Sequence, residues 1–350
     1  MIRRALFGSV ALAFTISAMP AFAAGIELNE TGSTLLYPLF QRWIPAYGSV
    51  KPDVKINIAA SNSGEGIKSA VAGTVQIGTS DAYMSDEEAE RNRQVISVPL
   101  AISAQTVNCN IPGLGAVALK LDGPALAGIY SGRIRQWDDA AIAALNPGTK
   151  LPHQAIVPVR RADPSGDTFV FTQFLDFSTQ TWEDRIGYGT TVDWPTVPGE
   201  VGATGNDGML KAIAGTPYSI GYLGISFRAQ AGSAGVATVQ LKNQSGKFVV
   251  PTAETVSAAA STLDPRTPPD ERLSLVDAPG DQSYPLVNYE YAVVSTNQAD
   301  AATADAIRHF LLWSIAADGG NAAQYLDAVG FIPLPDFIRA MSEKQIGRIK

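Results

Sequence analysis

The chain has 350 residues, 46% of them hydrophobic and 17% charged, with 26 basic against 33 acidic residues and a formal charge of −7. That acidic balance argues against nucleic acid and anionic membranes as partners, because both call for a basic face. A single cysteine, Cys109, excludes an internal disulfide framework and reads as a small buried residue.

Residues 1–24 have the layout of a secretory signal peptide. Arg3 and Arg4 precede an apolar run from Ala5 to Ile16, and Ala21-Phe22-Ala23 supplies a small-x-small cleavage site. The apolar run is too short to span a bilayer. No cysteine stands beside the cleavage site to carry a lipid, so a soluble protein exported to a bacterial periplasm is expected. Removing the leader takes away two arginines and leaves a formal charge of −9 on about 326 residues, enough for a sizeable core in two lobes.

In chain order, Gly32-Ser33-Thr34 opens a run with apolar Leu36, Leu39, Phe40, Trp43 and Ile44 at helical spacing. Val54 to Ile58 alternates as a strand, and Ser61-Asn62-Ser63-Gly64-Glu65 leads into a helix from Gly66 to Ala72. Thr74 to Gly78 and Ile96 to Leu100 read as strands, with a helix from Asp86 to Asn92 between them. Leu126 to Tyr130 and Asp138 to Leu145 read as helices, as does Thr303 to Ala316. Two apolar stretches, Ala101 to Asn108 and Tyr284 to Val294, are expected to cross between lobes. Ala260 to Asp281, rich in Pro, Asp and Ser, reads as an irregular surface connection. Strands alternating with helices predict an α/β fold with mostly parallel sheets.

The segment from Arg160 to Thr168 places guanidinium groups, the Ser165 hydroxyl and two carboxylates at the start of a predicted helix. Unpartnered N–H groups and the macrodipole favour an anion there, whereas Asp163 and Asp167 oppose one. Either the segment is a capped turn or it takes an anion that still carries protons. Three such starts, at Ser33-Thr34, Ser63 and Ser165, place a hydroxyl at an N-cap beside glycines. Asp81 stands after a predicted strand, where ligands gather in open α/β sheets.

With these segments in hand, the chain resembles the periplasmic phosphate-binding proteins of ABC-type phosphate importers, within the type II periplasmic binding proteins. The motifs are Gly32-Ser33-Thr34, Ser63-Gly64-Glu65-Gly66, Gly78-Thr79-Ser80-Asp81-Ala82, Asn110-Ile111-Pro112-Gly113, Ile129 to Asp138, Arg161 to Thr168, Gly205-Asn206-Asp207-Gly208 and Ile220-Gly221-Tyr222, in family order over nearly the whole mature chain. The resemblance implies lobe I from 25–104 and 288–350 and lobe II from 105–287, with phosphate held between them. It implies contacts from Thr34, the Leu35 N–H, Ser63, Asp81, Arg161, Ser165 and Gly166, with Ser33 in support and Asp163 holding the arginine. Asp167, where many relatives have Thr, matches a branch with Gly-Asp-Thr-Phe and is read as a further contact. Pro164 replaces a usual Gly and removes an N–H. A monomer is implied, delivering phosphate to permease and ATPase subunits.

Phosphate keeps at least one O–H near pH 7 and can donate it to Asp81, whereas sulfate carries none and would face an unpaired acceptor. Two proton-accepting carboxylates further predict affinity that falls as pH rises beyond about 7. Arsenate shares the protonation of phosphate, so it or a phosphorylated solute is the alternative ligand. A secreted phosphatase or esterase finds little support: only His153 and His309 are available, and no G-x-S-x-G elbow exists. Gly64-Glu65-Gly66-Ile67-Lys68-Ser69 lacks the spacing of a nucleotide loop, and neither histidine has a metal-ligating neighbour. No cofactor is expected.

Overall fold

The computed structural model describes residues 25–114 and 119–350, so the predicted leader at 1–24 lies outside the described residues. Twelve strands follow in order, and eight of them line up in one path across the main sheet. They are β1 (Ile26–Gly32), β2 (Val54–Ala60), β3 (Ile77–Ser80), β4 (Val95–Asn110), β5 (Lys120–Leu121), β6 (Val157–Arg161), β7 (Val201–Ala203), β8 (Ser219–Gly224), β9 (Ala237–Thr238), β10 (Gln240–Lys242), β11 (Phe248–Val249) and β12 (Val287–Ser295). The path is β2-β1-β3-β12-β4-β8-β6-β7, with β9 beside β4, while β11, β10 and β5 form a small second sheet.

The first wing, β2-β1-β3, is parallel, and so is the second, β8-β6-β7. The centre is antiparallel, because it is made of the two crossing segments. β4 is a 16-residue apolar strand without a charged side chain. It pairs with β12 as far as Ala104 and with β8 from Gln105 onward. One unbroken strand thus carries the chain from one wing to the other.

Helices cover the faces, including α1 (Tyr37–Val50), α2 (Ser63–Ala72), α3 (Asp86–Arg91), α4 (Gly123–Tyr130), α5 (Ala140–Leu145) and α6 (Gly166–Ser178). Behind α1, Phe40, Trp43, Tyr47, Phe310 and Trp313 pack at ring separations of 5.1–6.4 Å. Cys109 is buried in β4, which pushes its thiol up to about 12. No described helix is long and apolar enough to cross a membrane.

Two expectations need correction. β3 starts at Ile77 rather than Thr74, because Gly73 takes a left-handed φ of 68° and the Thr74 N–H closes back on the Ser69 carbonyl to end α2. Residues 260–281 are irregular and partly exposed beyond Arg266, as expected, but they are not wholly a surface connection. Their first residues end the helix Ala253–Leu263, and Glu271, Leu275, Val276 and Ala278 are buried. The Tyr291 hydroxyl donates to the Glu271 carbonyl at 3.1 Å, and Arg272 donates to the Met84 carbonyl at 2.9 Å. A Pro- and Asp-rich composition hid a segment tethered by a tyrosine of β12 and by its own Arg272, which reaches the turn after β3.

Candidate anion-binding site

The carboxyl ends of β1, β3, β6 and β7 converge between the wings, the usual location of ligands in α/β sheets. Each of those strand ends runs into a turn that opens a helix or prepares one. After β1, the Ser33 hydroxyl accepts from the Leu35 and Leu36 N–H groups at 3.1 and 3.0 Å and donates to Asp81 Oδ1. The Leu35 N–H, read from sequence as a ligand donor, is therefore engaged by Ser33 in this structure.

At α2 the sequence expectation of a Ser63 cap is replaced by Asn62. Asn62 takes the extended cap conformation, and its Oδ1 accepts from the Glu65 N–H at 2.8 Å. Ser63 becomes the first helical residue, and its hydroxyl turns toward Asp81 Oδ2 at 3.2 Å. Asp81, directly after β3, is 3% exposed. Burial raises its pKa, with Ser33, Glu290, Arg161 and Ser63 pulling the other way.

From the second wing, Arg161 ends β6 and is 3% exposed. Its Nε and Nη2 donate to the two oxygens of Asp163 at 2.7 and 2.5 Å, and its Nη1 donates to Asp167 Oδ2 at 2.8 Å. Tyr222 on β8 accepts from the Arg161 N–H at 3.0 Å and shares a hydrogen bond with Thr168 Oγ1 at 2.8 Å. Ser165 caps α6, accepting from the Thr168 N–H at 3.4 Å. Burial and the Asp81 charge push the Asp167 carboxyl up to about 7 against the pull of Arg161. Its Oδ1 is buried and receives no protein donor.

The two wings meet around these groups. A Cβ on Gly166 would lie 2.6 Å from both Asp81 Oδ2 and Ser63 Oγ, so only glycine permits this approach. Pro164 lies against Gly64, whose N–H donates to the Pro164 carbonyl at 3.2 Å. The proline, unexplained by sequence, thus serves the first wing through its carbonyl rather than through the N–H it lacks.

Thr34, Ser33, Ser63, Asp81, Arg161, Ser165, Gly166, Asp167 and Asp163 all fall within this hydrogen-bonded cluster or its direct contacts. Sequence reading overlooked Asn206. Its N–H and Nδ2 donate to Thr34 Oγ1 at 3.2 and 3.0 Å, Nδ2 also donates to Asp167 Oδ2 at 2.8 Å, and Oδ1 accepts from the Gly224 N–H at 2.8 Å. The signal was present in Gly205-Asn206-Asp207-Gly208, a turn opening the Gly205–Gly215 helix after β7. The histidines take no part: His153 pairs with Asp138 at 2.9 Å on the surface, and His309 bonds the Asp305 carbonyl.

The sequence profile of the PBP superfamily domain matches residues 22–318. The phosphate-binding protein PstS of Methanocaldococcus jannaschii is 32% identical, over 93% of this chain and 87% of its own length. The PstS of Pasteurella multocida is also 32% identical, over 96% and 93%. Among solved structures, the high-affinity periplasmic phosphate-binding protein PfluDING, bound with phosphate, is 24% identical and superposes with a TM-score of 0.73 over 91% of this chain and 93% of that one. Its likeness reports the two-winged α/β fold. On the extent of these matches, the chain belongs to the PstS phosphate-binding proteins of the PBP superfamily.

Proposed function

We propose that this chain captures inorganic phosphate between lobe I (25–104 and 288–350) and lobe II (105–287) and delivers it to the permease and ATPase subunits of an ABC importer. It is a binding protein, not an enzyme, and works as an exported, periplasmic monomer. The observation that carries the reading is a buried acceptor, Asp81, set against the N-terminus of α6 at Gly166 and facing the Arg161 side. Donors for an oxyanion come from Arg161, the hydroxyls of Thr34, Ser63 and Ser165, and the N–H groups of Leu35 and Gly166, with Ser33 and Asp163 fixing Asp81 and Arg161. Opening of the wings would free the Thr34 hydroxyl from Asn206, the partner it has across the cleft.

Asp81 supplies selectivity by repulsion. It accepts an O–H from phosphate and confronts sulfate with a buried charge that has nothing to bond. Asp167 Oδ1, which receives no protein donor, is placed to accept a second O–H. Calorimetric titration of the ligand-stripped protein with phosphate, arsenate and sulfate tests this. Phosphate and arsenate are expected to bind, and sulfate to fail. Asp81→Asn is expected to narrow the gap between phosphate and sulfate by about tenfold or more, since an amide can donate where the carboxylate cannot. Sulfate competing no better for that variant rules out exclusion by Asp81.

Gly166→Ala separates closure from folding. Gly166 opens α6 and is not among the glycines at positive φ, so alanine suits its backbone and each wing should fold with the change. Its methyl would meet Asp81 and Ser63, and phosphate affinity is expected to fall by about tenfold or more. Unchanged affinity would mean that the wings need not approach this closely to hold the ligand.

A further inference from the structure

Asp81 has a second carboxyl behind it. β3 and β12 run antiparallel with Ser80 opposite Tyr291, which brings the wholly buried Glu290 within hydrogen-bonding reach of the Asp81 carboxyl. Glu290 Oε1 is accounted for: it accepts from Ser103 Oγ at 2.5 Å and from Asn288 Nδ2 at 3.0 Å. Asn288 Nδ2 also reaches the Asp81 carbonyl at 3.2 Å, tying the two residues together. Glu290 Oε2, in contrast, is buried and receives no donor.

Two buried carboxyls in contact cannot both be ionised, so the pair holds a proton. Asp81 has two hydroxyl donors and feels the Arg161 charge, whereas among the described residues no cation acts on Glu290. β4 contributes no charged side chain, and the charged residues of α2, Glu65 and Lys68, pair with each other at the surface. Glu254, on the neighbouring Ala253–Leu263 helix, is exposed, while Asp264 and Glu271 act on the flanking Tyr289 and Tyr291. The Asp81 charge raises the Asp167 carboxyl across the cleft.

We infer that Glu290 is a positioning residue for ligand selection: it keeps its proton at neutral pH and donates through Oε2–H to Asp81, which stays an ionised acceptor fixed in orientation. The inference rests on the proposed role of Asp81 in accepting a phosphate O–H. Burial and the Asp81 charge push Glu290 far above the ordinary carboxylate range, in keeping with this assignment. Once Glu290 ionises, a second negative charge opposes both Asp81 and the anion.

The test is phosphate affinity by calorimetry from about pH 6 to about pH 9 for the unmutated protein, Glu290→Gln and Glu290→Ala, with thermal unfolding of each. Glutamine keeps a donor toward Asp81 and cannot ionise. Its affinity is expected to stay within about threefold of the unmutated protein at low pH and to weaken at least about threefold less as pH rises. Alanine removes the donor and is expected to lose about tenfold at low pH, and less as pH rises, because it also removes the charge that Glu290 would gain. A purely structural role would shift the unfolding midpoint and leave the glutamine profile parallel to the unmutated one. Parallel profiles overturn the inference, even if the alanine variant does not fold. Failure of the unmutated protein to bind phosphate would instead overturn the phosphate reading itself.

Discussion

Arg161→Ala is expected to abolish measurable phosphate binding and to cost the fold about 3–5 kcal/mol at neutral pH, the usual penalty for stripping one partner from a buried ion pair. Among the described residues, this side chain is the one cation bonded to both Asp163 and Asp167; three of its five N–H groups serve them and two are left for an anion. Without it, Asp163, Asp167 and Asp81 remain as negative charges in one buried cluster, at the place where an anion must enter. Asp167, already at about 7, would then take up a proton still more readily. The stability loss should therefore shrink toward pH 5, where that carboxyl can be neutral in both proteins. Arg161→Lys should recover part of the stability and little of the binding, because one ammonium cannot reproduce the planar fork that serves Asp163 and Asp167 at once. Urea unfolding at the two pH values, with calorimetry, checks both statements. A stability loss that does not vary with pH would mean the cost is packing rather than charge.

Raising the pH of the ligand-free protein from about 6 to about 9 is expected to lower its unfolding midpoint by on the order of 10 °C. Burial pushes Glu271 up to about 8, Glu30 to about 7 and Asp264 to about 6, and Asp167 also stands at about 7. Each of the first three has one oxygen bonded to a hydroxyl: Glu271 to Ser342 at 2.7 Å, Glu30 to Thr79 at 2.6 Å and Asp264 to Tyr289 at 2.5 Å. The second oxygen of each has no partner, which favours the neutral acid over the ion. All these values lie above those of an unfolded chain, so the folded state holds protons that the unfolded state has released. Such a group stabilises fully below its unfolded pKa, near 4, and its contribution is lost as pH rises through the folded value. The slope is about 1.4 kcal/mol per pH unit for each proton retained. Glu271→Gln should flatten the upper end of the curve, since Glu271 titrates last of these three. A midpoint that stays level from pH 6 to 9 would show that these acids are ionised in the folded protein without penalty.

What the sequence by itself determined was local chemistry and the order of elements. Hydroxyls at turns, Asp81 after a strand and Asp163 two residues from Arg161 are short-range features, written within a few residues of one another. The long apolar runs at Ala101 to Asn108 and Tyr284 to Val294 were legible because strands buried on both faces lose their alternation. Cap identity was not fully legible: Asn62 and Ser63 are both good caps, and the wing geometry decided between them by giving Ser63 a partner in Asp81.

Only the tertiary structure decided who stands behind and across from the site. Asn206 reaches Thr34 over 172 residues of chain, and Glu290 meets Asp81 because β12 happens to be the neighbour of β3. Pro164 acquires its partner, Gly64, only when the wings come together. Burial is likewise a property of the assembled core, and it changes the meaning of the acids. In the sequence they make an acidic chain that should repel an anion, whereas in the fold several of them sit where a proton is easier to keep than a charge. The segment at Arg161 thus reads in isolation as a contradiction, and in the folded protein as a cation bonded to two carboxylates beside a third, Asp81, whose neighbour Glu290 stands on the adjoining strand.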